Sequence, residues 1–194
     1  MKGRALKAAA AVVILAGALL CAGWIDVERN CTVRADNSNL AECAARFLRH
    51  GEPYPAAEDF RIYDSVSLGT KKYVLAEYVQ AGEYQLCRII LDQGLNGQYK
   101  IDRIGCGGGS FREEVVAADG QKYYVLGGRN AYFGISTVKI VLDGREYLLT
   151  VPEGEHFLVY TEINAAAENT HSDLDKLRFY NGSGGDITDR VPWN

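Results

Sequence analysis

Histidine is scarce in this sequence, with only three residues, His50, His156 and His171, and no two cysteines stand at CxxC spacing. A metal site built from closely spaced cysteine and histidine ligands is therefore excluded. No GxxxxGK[ST] segment occurs, and "CGGGSFREE" from Cys106 leads its glycines into a strand pattern rather than a helix. That excludes a phosphate-cradling loop and a dinucleotide loop, and leaves Gly107–Gly109 as a joint. No GxSxG nucleophile elbow is present. The acids of "DLDKLRFYNGSGGDITD" lack the DxDxDG spacing and closing glutamate of a calcium loop. No basic cluster is richer than Lys71-Lys72. Beyond residues 1–25, which hold Lys2, Arg4 and Lys7 and no acid, 18 basic residues face 25 acidic ones. Nucleic acid is not an expected partner.

What is present starts with an uncharged run of 18 residues, Ala8 to Ile25, behind Lys2, Arg4 and Lys7 and closed by Asp26 and Glu28. Such a run is just long enough to cross a bilayer, with its positive flank held in the cytoplasm. The expectation is a signal-anchor over 8–25, a cytoplasmic flank over 1–7 and a chain that emerges outside. Two alternatives compete. One is cleavage near Ala22, which would secrete the protein. The other is a lipoprotein modified at Cys21, which the bulky Leu20 before it disfavours.

Cys31, Cys43, Cys87 and Cys106 follow the run, an even number suited to an oxidising exterior. Three pairings are open, and Cys31–Cys43 with Cys87–Cys106 is the simplest. Asn37-Ser38-Asn39 forms a capping segment ahead of a helix over Ala41–His50, which Gly51 and Pro53 stop. Leu40, Cys43, Ala44, Phe47 and Leu48 make its apolar stripe. Residues 26–55 thus read as a linker with one short helix.

Residues 56–194 carry strand signals, dense in Val, Ile, Tyr and Phe, with hairpin dipeptides at Asn96-Gly97, Asp119-Gly120 and Asp143-Gly144. A shift of 51 residues matches Phe60-Arg61 to Phe111-Arg112, Tyr73-Val74-Leu75 to Tyr124-Val125-Leu126, and "RIILD" at 88–92 to "KIVLD" at 139–143. Ten of 33 positions are identical without a gap, where chance gives about two. The pattern implies an internal repeat with halves 60–106 and 111–163. The expected fold is mainly β, two related antiparallel halves packed as a sandwich or partly open barrel. Further strands are expected at Gln98–Ile104, Glu146–Val151, His156–Ile163 and Leu177–Asn181, with a polar loop over Glu168–Asp175.

Chemistry has few footholds. His156, in "PEGEHFLVY", sits beside Glu153 and Glu155, which would serve it as carboxylate partners for base catalysis. His171, Ser172 and Asp173 supply the residue types of a nucleophilic triad, although adjacency in sequence does not make one. Glu113-Glu114 and Asp186 with Asp189 offer carboxylates whose pairing depends on the fold. His50 suits the helix C-terminus. Tyrosine is abundant, at twelve, and Tyr123 and Tyr124 must point to opposite faces of a strand. An exposed row of tyrosines would make a protein- or glycan-contacting surface.

These observations favour a non-catalytic, membrane-tethered extracytoplasmic binding or structural module with no cofactor and no metal. It would contact the membrane through 8–25 and a protein or envelope component through sheet faces and the loops at 127–134 and 164–176. A hydrolase using His156 or His171 is the second class, and a secreted inhibitor-like or immunity-like protein the third.

Overall fold

The computed structural model describes residues 32–48, 60–80 and 82–192, together with Val13 and Gly17. The basic flank, most of the 8–25 run, Cys31, His50 and the stretch at 49–59 lie outside the described residues. Among the described residues no helix is long and apolar enough to cross a membrane.

Among the residues from 32 onward that are described, helix α1 (Leu40–Leu48) precedes ten strands: β1 (Phe60–Leu68), β2 (Lys71–Gln80), β3 (Glu83–Gln93), β4 (Tyr99–Gly107), β5 (Phe111–Ala118), β6 (Gln121–Arg129), β7 (Ile135–Leu142), β8 (Arg145–Thr150), β9 (His156–Ile163) and β10 (Arg178–Asn181). The protein is mainly β, and every strand pairing is antiparallel. Strands β1-β2-β3-β4 form a first sheet, β5-β6-β9 a second and β10-β7-β8 a third.

Side-chain alternation stacks these pieces. Val74, Ala76, Ile89 and Leu91 of the first sheet pack with Leu40, Cys43 and Ala44 of α1. Their neighbours Tyr73 and Ile90 point the other way, against Val116 and Val125 of the second sheet. Tyr124, Leu126, Phe157 and Val159 leave the opposite face of the second sheet to meet Val138, Ile140, Leu149 and Phe179 of the third. The order is helix, first sheet, second sheet, third sheet. Strands β2 and β6 are covered on both faces, which is why "YVLA" and "YYVLGG" read as unbroken apolar runs rather than alternating ones.

Several expectations meet the chain here. Strands β4, β8, β9 and β10 fall within a few residues of the expected ones, and β9 coincides with His156–Ile163. Asp119, Gly120, Asp143 and Gly144 all have positive φ, as two-residue hairpin turns of the mirror-image type require. Gly107–Gly109 falls at the passage from β4 to β5, which carries the chain from the first sheet to the second.

Other expectations are corrected. The described strands form three stacked sheets, where a sandwich or partly open barrel was expected. "RIILD" lies on β3 beside β2, whereas "KIVL" ends β7, which pairs with β8 and β10 and not with β6. The cause is Asn130. Its buried amide accepts from Ile135 N–H and donates to Ile135 C=O, folding 130–135 into a compact loop that carries β7 away. Residues 127–129, read as loop, are the end of β6. Asn39 spends its side chain on Arg34 N–H and Thr32 C=O rather than on the helix. Cys87 and Cys106 are a cross-strand pair joined by a disulfide. Cys43 is a buried free thiol, and the Cys31 proposed for it lies outside the described residues.

Candidate functional site

The seam between the first and second sheets is apolar at one end and charged at the other. At its charged end β2 presents Glu77, on the same face as Tyr73, into the space opposite β6 and β9. Arg129, the last residue of β6, pairs in register with His156, the first of β9. A bulge in β1 between Ile62 and Asp64 leaves Tyr63 as the unmatched residue and turns its ring toward the second sheet. Gly127 permits the close approach, because a Cβ there would stand 2.7 Å from Leu75 Cδ1.

Three side chains converge on one carboxylate. Tyr63 Oη donates to Glu77 Oε2 at 2.5 Å, and Arg129 Nε donates to Glu77 Oε1. His156 Nε2 lies 3.5 Å from the same Oε1, buried and without a hydrogen-bond partner. The imidazole is also covered by the Tyr63 ring, 3.6 Å away between centroids and tilted by only 12°. Burial works to raise the Glu77 pKa, but the hydrogen bonds from Tyr63 and Arg129 and the nearby charges of Arg129 and His156 outweigh it and hold the carboxyl below its ordinary value. Burial, with the bond to Glu77 and its charge, pushes the Tyr63 hydroxyl up to about 12.

Outside this group lies an open cleft of about 480 Å³, lined by Arg61, Tyr84, Arg129, Tyr132, Glu155 and His156 with Glu77 at its base. Tyr132 is 89% exposed and Tyr84 50%. They flank the mouth as bare rings. Glu77 was not singled out by the sequence, whereas Arg129 and Tyr132 fall in the 127–134 segment expected to contact a partner and Tyr63 is one of the strand tyrosines. The available signal was Glu77 itself, a lone acid within the apolar run "YVLAEYV".

His156 is therefore partnered by Glu77 of another sheet, not by Glu153 or Glu155. Glu155 stands in the bend just before β9 and lines the cleft beside His156. Among the described residues no serine or cysteine stands within hydrogen-bond reach of His156.

His171 lies in a second polar cluster. Its Nδ1 is 3.4 Å from Glu113 Oε1, while Ser172 Oγ donates to Glu113 Oε2 at 2.7 Å and Tyr124 Oη donates to the same oxygen. The serine hydroxyl engages the carboxylate and not the histidine, which is not triad geometry. Asp173 pairs with Lys176 at 2.9 Å. This cluster fastens the 164–176 segment to β5 and β6, helped by Lys122 Nζ donating to Ala167 C=O and by Asp143 accepting from Glu168 N–H at 2.8 Å.

Adjacent carboxylates are separated by the sheet. Glu113 faces the third sheet, and Glu114 faces the first, where Arg88 Nε stands 2.7 Å away and Arg103 Nη2 3.1 Å away. The Arg88 contact is an ion pair without hydrogen-bond alignment. Asp186 accepts from Thr188 N–H and Oγ–H within its turn, which holds its carboxyl below the usual range. Among the described residues no three His, Cys, Asp or Glu side chains are placed to hold one metal ion. Compared with protein-family models, with curated proteins and with solved structures, the chain matches none of them.

Proposed function

We propose that this protein is a membrane-tethered, extracytoplasmic binding module, anchored through residues 8–25, that holds a protein or envelope component in the cleft between its first two sheets. The observation that carries the reading is the combination of a charged floor whose carboxylate is paired within the fold and two exposed tyrosines at the cleft. Glu77 already accepts from Tyr63 and Arg129, and His156 faces inward under Tyr63, so the polar groups are arranged to hold shape rather than to attack a bond. Tyr84 and Tyr132 remain unused by the fold and offer rigid, amphipathic contact area.

The Cys87–Cys106 disulfide supports an oxidising location, and Lys2, Arg4 and Lys7 support an orientation with the β domain outside. The internal repeat belongs to the same proposal. Phe60–Asp92 and Phe111–Asp143 would be two copies of one unit, of which the second has sent its last strand to another sheet. Purified full-length protein titrated against isolated envelopes of its own source tests the binding role. Saturable binding that weakens at least about ten-fold in Tyr84→Ala/Tyr132→Ala is expected. No binding, or binding indifferent to both tyrosines, would refute it.

A further inference from the structure

Resting on the binding role just described, we propose that the cleft's occupant is a neutral oligosaccharide. The charges that reach the cleft are of both signs and nearly balanced: Arg61 and Arg129 against Glu77 and Glu155. An anionic ligand placed there meets two carboxylates, and a cationic one meets two guanidinium groups, so net charge of either sign is penalised. A polyol meets no such penalty, because each hydroxyl both donates and accepts. It donates to Glu155 and accepts from the Arg61 guanidinium, while Glu77 and Arg129 stay engaged with each other.

The remaining lining makes the same selection. The π-faces of Tyr84 and Tyr132 carry negative potential, and the C–H faces of a pyranose ring present the complementary weak positive one. The cleft volume of about 480 Å³ lies within the range of small-molecule sites. It accommodates a short saccharide segment and leaves the chain to run out through the open mouth. Peptide chains would also stack on the rings, but they bring backbone N–H and C=O groups that need directional partners. Arg129 Nη2 already donates to a backbone group of the fold, Tyr84 C=O, at 3.4 Å.

The test is an array of neutral and acidic oligosaccharides probed with the full chain, kept in a polyoxyethylene detergent whose headgroup carries no sugar. Binding to neutral glycans is expected, unchanged between about 0.15 and about 0.5 M salt. It should fall at least about ten-fold in Tyr132→Ala and in Tyr84→Ala. Both variants should keep the parent melting temperature, since both rings are exposed. Neutral-glycan binding no stronger than that of the double variant would overturn the proposal, as would binding confined to acidic glycans and lost at the higher salt. If the array fails while isolated envelopes still bind through the same tyrosines, the saccharide is wrong and the binding role stands. If both fail, both fall.

Discussion

The ring of Tyr63 lies flat on the imidazole of His156, with centroids 3.6 Å apart. The two residues come from different sheets, and the contact exists because a bulge frees Tyr63 from its own ladder. With Glu77 beneath them they form the polar lock between the first and second sheets, and the floor of the cleft.

Tyr63→Phe keeps the stack and removes one hydrogen bond to a carboxylate, and should destabilise the protein by about 2 kcal/mol. Glu77→Gln removes the shared acceptor charge and leaves Arg129 without its partner, at about 3 kcal/mol. Urea denaturation at neutral pH measures both, and an effect of Glu77→Gln smaller than that of Tyr63→Phe would contradict the assignment.

The same lock sets a dependence on pH. Glu77 has a depressed pKa in the folded state, so its stabilisation is present above the ordinary value of 4.5 and is lost as pH falls through the folded value. Tyr63 has a raised pKa, so its contribution is present below 10 and is lost as pH rises toward about 12. Melting curves should show Glu77→Gln flattening the acid limb and Tyr63→Phe flattening the alkaline one.

Gly127→Ala should cost about 1–3 kcal/mol by driving a Cβ into Leu75 across the seam. The effect should shrink when Leu75 is also shortened to alanine. Additive losses in the double-mutant cycle would show that the two sheets do not meet there.

Glu113→Ala should loosen one segment rather than the whole domain. It strands the Ser172 and Tyr124 hydroxyls, at about 2 kcal/mol. Hydrogen exchange should accelerate over 168–174 while β2 and β6 stay protected. Uniform acceleration would contradict a fastening role.

Removing the Cys87–Cys106 disulfide, which spans a sequence separation of 19, should cost about 3 kcal/mol. Alkylation of thiols in intact cells checks the location as well. Cys87 and Cys106 should resist labelling until a reductant is added.

Much of the fold was legible because strand periodicity and turn chemistry act locally. Asp119-Gly120 and Asp143-Gly144 need positive φ, and the chain supplies it there. His156–Ile163 alternates cleanly, with Phe157, Val159 and Ile163 inward. The third sheet was not legible, because Asn130 redirects β7 through bonds to Ile135 that no hydrophobic pattern announces. The site was hidden for a related reason. His156 was visible, but its partner comes from β2, and the bulge that delivers Tyr63 is a property of pairing between strands rather than of either strand alone. The tyrosines divided as strand alternation requires: Tyr124 is buried toward the third sheet, and Tyr123 packs toward the first. Only Tyr84, Tyr132 and Tyr160 are strongly exposed among the described tyrosines, and two of these three stand at the cleft.

The most direct measurement places a photo-reactive amino acid at position 132 and, separately, at position 148, in the full chain expressed in its own cells. Tyr132 lies at the cleft mouth, and Leu148, also well exposed, lies on the third sheet. Irradiation should give discrete adducts from position 132 and none from position 148, and Tyr84→Ala should reduce the yield at 132. Adducts from 148 alone, or a yield at 132 that ignores Tyr84, would put the working surface elsewhere and contradict the cleft as the site of binding.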